Sequence, residues 1–144
     1  MDPRFAFGTG NTIAMLGWLG LLTSLFVPIA RDGVRRTTRL FIPALFGVAY
    51  VVLIGQGWSK AVGGGFGSIE QVRALFAVDA ALVAGWLHYL AFDLFVGSWI
   101  VEDGLTRGIN RFALIPCLGL TFLFGPAGLL LFLGLRLLPA REST

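Results

Sequence analysis

Residues 86–99 read WLHYLAFDLFVGSW. Apart from His88 and Asp93 the stretch is almost wholly apolar, and it sits inside a longer run, Ala80 to Val101, of the length a helix needs to cross a bilayer. Such a run is either the core helix of a large soluble protein or a membrane span, and the rest of the chain decides between them. Of 144 residues, 56% are hydrophobic and only 13% charged, with a mean hydropathy of +0.83. A soluble domain of this size would lack the polar surface to cover itself. Three similar runs, Phe5 to Ala30, Leu40 to Ser59 and Phe112 to Leu135, flank the first. The expectation is therefore one all-α integral membrane domain over residues 1–144, a four-transmembrane-helix bundle with spans near 8–30, 40–58, 79–101 and 112–136.

The first run is followed, not preceded, by its arginines (Arg31, Arg35, Arg36, Arg39), which reads as a retained span and not a secretory leader. The segment RDGVRRTTR then forms a short loop that the positive-inside rule puts in the cytoplasm, with both termini on the other side. With no Arg- and Ser-rich extension in sight, a bacterial inner membrane is the expected location, a mature organellar protein the other reading. The net charge of +3 is assigned to topology and to anionic headgroups, with no nucleic-acid partner. Cys117 is the single cysteine, so no intrachain disulfide and no cysteine-based metal site can form.

Between the second and third runs, Ser68 and Gln71 fit a capping box, and Ile69, Val72, Leu75 and Phe76 share one face. A short interfacial helix before the third span is predicted there, with Asp79 as the N-cap of that span. Within the span, Ala77, Ala81, Gly85, Tyr89, Asp93 and Gly97 recur every four residues, a ridge for close helix approach. Pro28 closes the first span, and Pro43 falls where a first turn tolerates it. Pro126, in FGPAG at 124–128, predicts a kink in the fourth.

His88 and Asp93 are both placed near mid-membrane. A charged carboxylate at that depth costs from about 2.5 to more than 10 kcal/mol, so a protonated Asp93 and a neutral imidazole are the cheaper states. Together they make an acid and a base. On a helix they lie about 140° apart around the axis and about 7.5 Å apart along it, so they do not bond each other but could flank a third group. Tyr89, one turn from Asp93, can hold its orientation. Polar residues in membrane helices also serve as interhelical glue, and an Asp–His pair also suits a proton relay. With one histidine, no phosphate loop and no nucleophile elbow, chemistry here is expected to need neither metal nor cofactor. Glu102, Asp103, Arg107 and Arg111 read mainly as loop and headgroup contacts, with a pocket-mouth or helix-end role as the alternative for Asp103.

At these residues the chain resembles a known group, the neoxanthin-synthase-like or abscisic-acid-deficient-four-like membrane proteins. The resemblance is carried by Trp86, His88 and Asp93 to Phe95 in WLHYLAFDLF, by Asp103-Gly104-Leu105, and by Phe124-Gly125-Pro126; it extends to Trp18, Pro28 and Ala74 to Phe76. It implies work on carotenoids: an epoxide opens and a polyene proton leaves, without redox change, to give an allene. Asp93 and His88 would be the catalytic acid and base, with a polyene stacked along Trp86, Tyr89, Phe92, Trp18, Tyr50 and Phe124. The implied partners are the bilayer, a carotenoid or other lipid-soluble molecule, and a second copy or other membrane enzymes of pigment synthesis. A non-catalytic membrane subunit, scaffold or carotenoid-binding protein is the alternative.

Overall fold

The computed structural model describes residues 1–137, and no strand occurs among them. Helix α1, Pro3–Phe26, starts where the Asp2 side chain accepts from the Arg4 amide (3.0 Å) with Pro3 in the first turn. It ends at Val27, held extended (φ −113°, ψ 91°) before Pro28.

The arginine-rich segment is not a loop. A 3₁₀ turn (Pro28–Ala30), helix α2 (Arg31–Arg36), a π turn (Thr37–Phe41) and helix α3 (Ile42–Trp58) run on as one rod, Pro28–Trp58. Arginine is a good helix former, and Asp32 in the first turn with Arg35 and Arg36 in the last suits the helix dipole. The wider π turn falls just before Pro43, whose ring would clash with the carbonyl four residues back in a regular helix.

Helix α4 (Ile69–Phe76) is capped by Ser68, whose hydroxyl accepts from the Gln71 amide at 3.3 Å. The Gln71 side chain reaches back to the Gly67 amide (2.9 Å), one residue earlier than a capping box requires. Helix α5 (Asp79–Thr106) is the axis of the molecule. Its N-cap is Val78, not Asp79; Asp79 is its first helical residue, where a carboxylate suits the dipole without capping.

Three helical stretches, Pro3–Phe26, Pro28–Trp58 and Asp79–Thr106, are long and apolar enough to cross a membrane. α1 runs parallel to α5, with Phe7 beside Trp86 and Trp18 against Gly97. α3 runs antiparallel to α5, with Tyr50 beside His88 and Gly57 against Ala81. The small-residue ridge is not one interface. Steps of four advance about 40° around a helix, so Ala81 meets α3, Gly85 meets Phe76 of α4 and Gly97 meets α1.

The expected fourth span is a hairpin. Helix α6 (Arg111–Phe124) and helix α7 (Pro126–Arg136) hold 14 and 11 residues, about 21 and 17 Å, against a hydrocarbon layer of about 30 Å. α6 begins beside Phe26 and Gly104 and rises to Trp18, where Phe122 packs. α7 then returns: Gly128 lies against Thr121 and Cys117, Phe132 against Trp99, and Arg136 bridges Asp103 at 3.0 Å. The reversal is at Gly125 (φ 44°, ψ −93°), a left-handed conformation that favours glycine, and Pro126 starts the next helix. Pro126 thus marks a break where a kink was expected. A side chain at Gly128 would collide with the α6 backbone, so this glycine lets the two arms close. The described chain therefore ends at the arginine-rich end, opposite Pro3, not on the same side as the N-terminus; residues 138–144 lie outside the described residues.

Candidate functional site

Because the hairpin covers only half the length of α5, the face it covers continues uncovered past its tip. Leu82, Gly85, Trp86, Tyr89 and Asp93 fall on that face at helical spacing. Beyond the tip it forms a groove of about 490 Å³ lined by Phe7, Phe76, Leu82, Val83, Gly85, Trp86 and Tyr89. Its walls are aromatic. Trp86 stacks on Tyr89 (centroids 5.3 Å apart) and leans on Phe7 (5.9 Å). The Trp86 indole N–H donates to Asn11 Oδ1 at 2.8 Å, so a polar residue of α1 sets the orientation of the main ring in the wall. Phe76 of α4 sits so close to Gly85 that a Cβ there would stand 2.9 Å from its ring.

One turn below Tyr89 on the same face lies Asp93, 9% exposed. Its Oδ2 is buried without a hydrogen-bond partner. The Tyr89 hydroxyl is near enough to interact with the carboxyl, though not as a well-aligned hydrogen bond. The hairpin tip closes on it: a Cβ at Gly125 would stand 2.9 Å from Asp93 Oδ1 and 3.3 Å from Oδ2. No Lys or Arg among the described residues pairs with this carboxyl.

The structure brings Trp86, Tyr89 and Asp93 together and leaves the other expected residues elsewhere. His88 is exposed on the α3 side of α5, between Tyr50 (centroids 5.9 Å) and Phe92 (4.5 Å). Neither His88 nor Asp93 is among the residues that line the groove. Trp18 is buried at the α1–α5 contact, its ring edge-on to Phe122. Phe124 precedes the tip and is exposed. Of the residues expected to be loop and headgroup contacts, Arg111 lies over the Phe26 ring, and the other three form ion pairs. Glu102 bridges Arg35 (3.2 Å) and Arg39, while Asp103 bridges Arg107 (2.7 Å) and Arg136, pinning α2 and the hairpin to the end of α5.

One residue of the site, Asn11, went unread in the sequence, and Gly125 was read only within a kink and a family motif. Asn11 is a lone amide in an apolar run, a signal of the same kind as Asp93. Gly125 stands beside a proline with Gly128 three residues on, a pattern compatible with a tight reversal as much as with a kink. No group of three His, Cys, Asp or Glu able to hold a metal ion forms among the described residues.

No curated protein and no solved structure matches the chain. The pattern of one family does, over residues 5–132, a stretch that contains the groove, Asp93 and the hairpin tip. The chain thus belongs to the ABA DEFICIENT 4-like (ABA4-like) family, a membership that suggests a role related to carotenoid and neoxanthin synthesis.

Proposed function

We propose that the chain isomerises an oxygenated carotenoid inside the membrane by acid–base chemistry, with the polyene in the aromatic groove and Asp93 as the proton-transfer group. The observation that carries this reading is the buried carboxyl with an unpartnered oxygen at the foot of an aromatic, lipid-facing groove. A carboxyl at this depth with no cation beside it is cheapest when it holds its proton. It can give that proton to an epoxide oxygen as the C–O bond breaks, leaving a cation spread along the polyene. The resulting carboxylate can then take a proton from the adjacent chain carbon, and that C–H electron pair becomes the new π bond of an allene. One proton is given and one taken, so no electrons are gained and no second base is required.

Family membership and the groove's aromatic, apolar lining both suit a flat polyene. His88, on the other side of α5, has no part in this cycle. The competing reading makes Asp93 a non-catalytic anchor for the hairpin, which its closeness to Gly125 favours. The test is pigment analysis of a host that makes epoxycarotenoids, with and without the chain. A new pigment of unchanged mass, absent with Asp93→Asn, is expected. Unchanged pigment co-purifying with the protein would instead make it a carotenoid-binding protein.

A further inference from the structure

A second cavity, of about 320 Å³, opens at the opposite end of the molecule between α1, α2 and α5. Along α5 it runs from Ser98 to Thr106, about 12 Å. Its floor is Ser98, 2% exposed, with a hydroxyl that has no hydrogen-bond partner. A buried hydroxyl left unpaired is costly, so a polar ligand atom at that depth is favoured. Halfway up, Arg31 caps the end of α1, its Nε donating to the Ser24 carbonyl (3.0 Å) and its Nη2 to that of Leu25 (3.4 Å). That leaves both hydrogens of Nη1 uncommitted, and Arg31 has no carboxylate partner among the described residues. At the mouth, the Asp32 side chain is 85% exposed and touches Arg35 only across 3.4 Å, long for a charge-assisted contact. Leu21, Val101 and Leu105 supply apolar wall.

From floor to mouth the cavity thus presents a hydroxyl donor, a guanidinium and a carboxylate, with the Arg35–Glu102 ion pair (3.2 Å) in its wall committed to itself. We infer that it binds the headgroup of a phosphoethanolamine lipid, whose polar atoms come in the matching order: ester carbonyl on Ser98, phosphate on Arg31, ammonium on Asp32. A choline headgroup has no N–H to give Asp32, and a glycerol headgroup has no cation for it. The position, at the membrane-surface end of α5 among the arginines, is where lipid phosphates lie.

The test is native mass spectrometry of the full chain released from membranes holding equal parts of ethanolamine, choline and glycerol phospholipids with the same acyl chains. Retention of the ethanolamine lipid about three- to fivefold above both others is expected, the scale of a partly exposed ion pair. Asp32→Asn, at an exposed position outside the core, should erase that preference. Ser98→Ala should lower retention of all three lipids together. Equal retention by the unaltered chain, preference for the glycerol lipid, or an unchanged preference in Asp32→Asn would each overturn the assignment. So would displacement of bound lipid by soluble phosphoethanolamine, since the headgroup alone would then be the ligand.

Discussion

Asp93→Asn keeps the size of the side chain and its capacity to hydrogen-bond, but it cannot pass a proton. Replacing polar contacts between membrane helices costs about 0.6–2 kcal/mol, whereas removing an acid or base costs about 10²- to 10⁴-fold in rate. The variant is expected to accumulate while pigment conversion falls by at least the lower figure, measured by chromatography of extracts at matched protein level. His88→Gln, altering an exposed ring on the far side of the helix, should keep conversion within a few-fold. If only His88→Gln abolished conversion, the proton cycle assigned to Asp93 would fail. Gly125→Ala carries two penalties, a left-handed backbone (φ 44°) and a Cβ pressed on Asp93. Together they should destabilise the protein by about 1–3 kcal/mol, read as a lower thermal midpoint in detergent, with conversion lost as well. That Asp93 would stand in the middle of a long apolar helix was legible in the chain, because it follows from its place within an apolar run. Which residue it would face was not, because its neighbour at Gly125 is 32 positions away and has no side chain to announce it.

Among the elements, α4 carries a pH response that can be isolated. Glu70, fully exposed in its first turn, has its carboxylate held below the usual range, first by its own backbone N–H and then by the Ser68 hydroxyl. A carboxyl lowered on folding adds stability above its unfolded pKa, about 4.3, and loses it as pH falls through the lower folded value. Amide protection factors over residues 68–76, corrected for the intrinsic pH dependence of exchange, should therefore fall on acidification below about pH 4, and Glu70→Gln should remove that step. An identical pH profile in the variant would refute the role. Helix positions here were readable from local signals: Ser68 as a cap, Pro28 as a stop, the first three apolar runs as long helices. The arginine segment was misread because a hydrophilic stretch between apolar runs looks like a loop, while nothing in it breaks a helix once Pro28 has started one.

For the whole molecule the hairpin changes the topology. Arg107, Arg111 and Arg136 join Arg31, Arg35, Arg36 and Arg39 at one end, leaving Arg4, Lys60 and Arg73 at the other. The positive-inside rule then places the end of the described chain in the cytoplasm and Pro3 outside. Reporters fused at the N-terminus and after residue 137 should report opposite sides; the same side for both would restore a full fourth span. By composition alone the chain was committed to helices in a membrane, because lipid leaves the backbone no hydrogen-bond partners but its own. The place of Asp93 within a long apolar helix followed from the same run of apolar residues. Hydropathy adds up along one dimension and does not register a reversal: a largely apolar run of 24 residues, Phe112 to Leu135, is long enough to span once or to enter and return. Only in three dimensions did Gly128 closing on Thr121, Phe132 on Trp99 and Arg136 on Asp103 select the return. That choice left half of α5 bare as a groove and set a glycine, with no side chain in the way, against its one buried carboxyl.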